Sequence, residues 1–114
     1  MEKYQEHREK AIRNMQIADH MLSVTFPMLK EPKLLLAITD NIFLAYTNSI
    51  AALLHFERLY KKIPPFNENF ESKFNMFKEH CVDRYKIDRS YIVEIQSIKE
   101  LLIECRDNSE VKKY

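Results

Sequence analysis

Apolar residues recur at helical spacing in four stretches, set apart by prolines and polar breaks. The first stretch runs from about Glu2 to Leu29. Tyr4, Ala11, Met15, Ala18, Leu22, Phe26 and Leu29 form its main stripe, and Ile17, Met21, Val24 and Met28 add a second line near its end. Spacings of three, four and seven place each line on one face of a helix. Pro27 predicts a kink or stop, and Pro32 ends the connection.

The second stretch, Lys33 to Ile63, is apolar on more than one side. Leu34, Ile38, Ile42, Ala45, Leu53, Phe56 and Tyr60 cover a broad face, with Leu36, Phe43, Ile50 and Leu54 opposite. That distribution predicts a central helix contacted by several neighbours, a second subunit among them. Pro64-Pro65 terminates it. Asn67 is the expected N-cap of a third helix, whose stripe is Phe66, Phe70, Phe74, Phe77, Cys81 and Tyr85. Four phenylalanines on one line predict core rather than a base-stacking platform.

The fourth stretch starts near Asp88 and runs to about Arg106, with a seam of Tyr91, Ile95, Ile98, Leu102 and Cys105 reinforced by Ile92 and Leu101. The prediction is an all-α, up-and-down bundle of four helices spanning residues 1–106 as one domain. Residues 107–114 are expected as a polar tail, frayed or a truncated continuation.

Composition narrows the chemistry. The 114 residues contain no glycine, so no phosphate-binding loop, dinucleotide fingerprint, nucleophile elbow or EF-hand loop is present. A net charge of +1 gives no global attraction to nucleic acid. Two cysteines are too few for a disulfide scaffold, and the polar start MEKYQEHREK does not read as a secretory signal. A cytoplasmic location is the expectation. A membrane span over Leu34–Leu54 is not expected, because Asp40 alone would cost about 2.5–3.5 kcal/mol at the bilayer centre.

Metal and cofactor signals are missing. The residues three before His7, His20, His55 and His80 are Tyr4, Ile17, Ala52 and Phe77, so the Glu-x-x-His pairs of di-iron bundles do not occur. Neither Cys-x-x-Cys nor His-Glu-x-x-His occurs. No metal and no cofactor is expected.

Four sets of polar residues remain. Arg13 and His20 match an Arg-x(4–6)-His spacing on one face of the first helix. Arg58, Lys61 and Lys62, around Tyr60, form a local basic patch able to meet a phosphate backbone or simply to favour a helix C-terminus. Asn41, Asn48 and His55 stand seven apart along one edge of the central helix, with Ala37 and Ala52 beside them. Asp40, Thr47 and Arg58 make a second polar line. The Asn/Asn/His line admits three readings: bonds between helices or across a homodimer seam, a ligand pocket, or solvent at the margin of the core.

The order of these features resembles the HEPN superfamily of small helical-bundle proteins. The resemblance lies in an N-terminal amphipathic helix, HREKAIRNMQIADHML, and an alanine-dotted second helix, FLAYTNSIAALLHFERLY. The proline-containing connection IPPFNENF and two further helices complete it. It implies a homodimer and a role in RNA cleavage or nucleotide-related processes. Catalytic members of that family carry an Arg-polar-x(3–5)-His motif near the final helices. Arg106-Asp107 stands in that region here, but Val111, Lys112 and Lys113 occupy the positions where His would fall. The resemblance therefore implies a member without the nuclease site, or one shortened at its C-terminus.

The expected function is a non-catalytic helical interaction module, dimeric, with RNA or protein as partner. Its binding residues would be Asp40, Asn41, Asn48, His55, Arg58, Lys61 and Lys62. One alternative is a metal-independent RNase using Arg13 as phosphate clamp and His20 as general acid/base. The other is a purely structural assembly protein.

Overall fold

In the computed structural model, which describes residues 2–111 and their side chains as far as Arg106, every regular element is helical. The order is α1 (Lys3–His20), a π-helical turn (Met21–Thr25), α2 (Phe26–Leu29), α3 (Lys33–Leu59), α4 (Phe70–His80) and α5 (Ser90–Val111). The four long helices form an all-α bundle, 47 × 29 × 26 Å.

Pro27 neither stops the first helix nor breaks it. A proline ring collides with the carbonyl four residues back and supplies no N–H. The wider π turn just before it absorbs that conflict, and the helix resumes. Lys30 then ends it in the left-handed region at φ 50°, its N–H donating to the Phe26 carbonyl at 2.7 Å. Lys61 and Lys86 take the same conformation at φ 57° and 54°. A chain without glycine thus places lysine where glycine is usual, at roughly 1–2 kcal/mol each.

Helices α1 and α3 lie antiparallel, Tyr4 against Phe56 at one end and Asn14 against Asn41 further along. Ala11 and Ala18 on α1, and Ala45 and Ala51 on α3, are buried, and such small side chains permit close approach of the two backbones. This corrects the expected α1 stripe. Met15, Leu22 and Leu29 point outward, more than half exposed, whereas His7 and Asn14 turn inward with the alanines. A seam this tight has no room for leucine or methionine, and amides that bond to one another satisfy it instead.

The main core lies on the other side of α3. Ile50, Leu54, Ile63, Phe74, Phe77, Cys81, Val82 and Ile95 form one buried cluster from α3, α4, α5 and the intervening turns. Fully burying each large apolar side chain is worth about 1.5–3 kcal/mol. Phe74, Phe77 and Cys81 of the predicted stripe are in it, and Tyr85 is not. Leu101, expected to reinforce the α5 seam, is half exposed while Leu102 is buried.

Helix ends differ from expectation by a few residues. Helix α3 stops at Leu59 in the Lys61 turn, yet Ile63 beyond it is buried. The N-cap of α4 is Asn69 rather than Asn67, because the Asn69 Oδ1 accepts from the Ser72 N–H at 2.8 Å. Asp88 Oδ1 accepts from the Ser90 N–H at 2.9 Å at the start of α5. Helix α5 runs on to Val111, past the expected boundary at Arg106; residues 112–114 lie outside the described residues. Helix α3 is also long and apolar enough, by length and composition, to cross a membrane. Here it packs against α1, α4 and α5.

Candidate functional site

Three features stand out: a polar ladder between α1 and α3, a sealed carboxylate beneath the α4–α5 turn, and an apolar trough along α3.

The ladder is a chain of donors with one direction. His7 Nδ1 lies 3.2 Å from Asn48 Oδ1, and an amide oxygen can only accept, so Nδ1 carries the hydrogen. Asn48 Nδ2 donates to Asn14 Oδ1 at 2.9 Å, and Asn14 Nδ2 to Asn41 Oδ1 at 3.4 Å. Asn41 Nδ2 ends the series on the Ala37 carbonyl at 3.0 Å. Heptad spacing on both helices builds it: His7 and Asn14 on α1 face Asn41, Asn48 and His55 on α3. The line of Asn41, Asn48 and His55 thus lies between helices of one chain. His7 and Asn14 are not legible from the apolar stripe of α1. Their seven-residue spacing, matching that on α3, was the available signal.

His55 closes the ladder. Its ring stacks on His7 with centroids 5.2 Å apart and planes 3° from parallel, and Phe66 packs against it at 5.2 Å. Its Nε2 is 3.4 Å from Glu68 Oε1, an ion-pair distance, but without the alignment of a hydrogen bond. Burial lowers the His55 pKa; Glu68 opposes that shift, and His7, Lys3 and Lys73 add to it.

The sealed carboxylate is Glu57, fully buried on α3. Arg84 Nη1 donates to its Oε2 at 2.8 Å, and the Tyr85 hydroxyl donates to its Oε1. Both partners come from the turn after α4, so the group ties that turn to the central helix. Buried with it is Cys81, whose thiol is pushed up to about 11 by burial first and by Glu57 second, against Arg84. A Cys81 thiol this reluctant to ionise is a poor nucleophile. Glu57 was not singled out in the sequence, though the apolar series Ile50, Leu54 leads to it in steps of four and three.

The trough is apolar and open. One part, about 240 Å³, is lined by Met15, Ile42, Ala45, Tyr46 and Ser49. The next, about 290 Å³, shares Tyr46 and Ser49 and adds Leu53 from α3, Ile87 from the turn before α5 and Tyr91 from α5. Tyr46 and Tyr91 meet there with ring centroids 6.5 Å apart. Burial and the neighbouring Glu94 raise the Tyr46 pKa, which keeps its hydroxyl protonated. A larger cleft of about 370 Å³ lies between the α3–α4 connector and α4, with Glu79 as its one ionisable lining residue.

The remaining predicted residues are scattered. Asp40 accepts from Arg106 Nη2 at 3.0 Å, in a cleft shared with Lys33 and Leu102. Arg58, Lys61 and Lys62 sit at the C-terminal end of α3, the two lysines exposed. Arg13 and His20 are both exposed on α1, about 10 Å apart along its axis, and neither lines the clefts above. Among the described residues, no group of His, Cys, Asp or Glu converges as a metal site.

Comparison with family models finds no match, and neither the curated proteins nor the solved structures yield one.

Proposed function

We propose that this chain is a non-catalytic, HEPN-like helical interaction module that pairs with a second copy of itself through the trough along α3. The observation that carries the reading is the continuous apolar surface from Met15 through Tyr46 and Ser49 to Tyr91. Met15 and Tyr91 are each about half exposed. Aromatic side chains and methionine are the residues that interface cores favour. Ile12 on α1 and Leu22 in the π-helical turn after it are also exposed and extend the apolar area available to a partner.

The polar groups favour the same reading by being occupied elsewhere. The ladder amides bond to one another, Glu57 is sealed by Arg84 and Tyr85, and Asp40 is paired with Arg106. What they do chemically is fix helix register and hold a turn.

A dilution series followed by backbone amide chemical shifts tests the proposal. Concentration-dependent shifts are expected at Ile42, Tyr46, Ser49 and Tyr91. Shifts that are absent, or confined to the Arg58–Lys62 end of α3, would overturn it.

A further inference from the structure

We propose that the His7–His55 stack is an acid-sensitive latch that holds the first turns of α1 and the α3–α4 connector onto the central helix. The proposal is independent of how copies of the chain associate.

Three parts of the fold meet at this point. His7 is on α1, His55 is on α3, and Phe66 and Glu68 belong to the connector leading into α4. The connector follows Pro64-Pro65 and contains no helix before Phe70, so its side-chain contacts are what seat it. The two imidazoles are parallel and 5.2 Å apart, a favourable packing while both are neutral.

The charged groups that face the stack decide what protonation does. From α1 comes Lys3, from α4 Lys73, and from the connector Glu68. Glu68 is shared, since Lys73 Nζ also lies 3.9 Å from its Oε2. It is largely exposed, with Oε1 off the His55 N–H direction. One carboxylate and two lysines therefore face His55. A proton on His55 finds one carboxylate, Glu68, which is exposed and shared with Lys73, and it sits between Lys3 and Lys73. With its pKa lowered by burial, His55 takes its proton below the ordinary histidine value of about 6.5, and that is where the contacts weaken.

The ladder sets the direction of opening. The His7–Asn48 bond does not involve His55, so a proton on His55 leaves it intact and acts on the stack. The desolvation of His55 works the same way. With its pKa lowered in the folded chain, its contribution to stability is complete above the ordinary histidine value of about 6.5 and is lost as pH falls below it.

Amide hydrogen exchange of the full chain, corrected for the intrinsic rate at each pH, tests the latch. Between about pH 7.5 and 5.5, protection in residues 4–11 and 63–69 is expected to fall about tenfold, with α4 and α5 unchanged. His55→Gln is expected to reduce that fall to less than about twofold, and His55→Phe, which preserves the packing on Phe66, to do the same. Protection that stays constant with pH, that falls uniformly through all helices, or that falls equally in these variants would overturn the proposal.

Discussion

Arg84 reaches from the turn after α4 to Glu57 on the central helix, Nη1 to Oε2 at 2.8 Å, and the carboxylate it meets has no exposure to solvent. Removing the arginine would leave a buried charge with one neutral donor, Tyr85. Arg84→Ala is expected to lower the unfolding free energy by about 2–4 kcal/mol, toward the low end because Arg84 itself is 40% exposed. Urea denaturation measures it. A change below about 0.5 kcal/mol, the range of an ordinary surface substitution, would show that the pair does not hold the turn.

Asn48 is the centre of the ladder, accepting from His7 and donating to Asn14. Asn48→Ala strands one donor and one acceptor between two closely packed helices. The expected loss is about 1–3 kcal/mol, again from urea denaturation. The exposed Asn75, on α4, provides the control, and Asn75→Ala should fall within about 0.5 kcal/mol of wild type.

Cys81 should be chemically silent and pH-linked. Its thiol is fully buried and raised from 9.0 to about 11, whereas Cys105 is half-buried. Iodoacetamide at neutral pH is therefore expected to label Cys105 well before Cys81, and equal rates would contradict the buried assignment. The folded thiol holds its proton more tightly than the unfolded one. Its contribution to stability is thus complete below pH 9 and lost as pH rises from 9.0 toward about 11. Cys81→Ala should flatten that part of the stability–pH curve.

Much of the architecture is legible in the sequence because helix periodicity and proline breaks are local signals. Phe74, Phe77, Ile95 and Leu102 are found in the core where their spacing places them. Helix ends were read less well: Asn67 and Asn69 are both good caps, and only the bond to Ser72 selects between them. The buried face of α1 is hidden for a deeper reason. Hydrophobic periodicity assumes that the buried face is the apolar one, and α1 buries Ala11 and Ala18 beside the half-buried His7 and Asn14 while exposing Met15. A polar seam is recognisable only when two helices are compared, as the heptad of His7 and Asn14 is with that of Asn41, Asn48 and His55. Glu57 was hidden likewise, since its partners lie 27 and 28 residues away in the turn after α4.

A self-association surface along the α3 trough would double the mass of the chain in solution. Ser49 is exposed at the shared middle of the trough, so Ser49→Arg introduces a charge there without disturbing the core. Sedimentation equilibrium at about 50 μM is expected to give twice the 13.7 kDa chain mass for wild type and the single-chain mass for Ser49→Arg. A wild-type chain that sediments at 13.7 kDa, or a Ser49→Arg chain that keeps the doubled mass, would contradict the account.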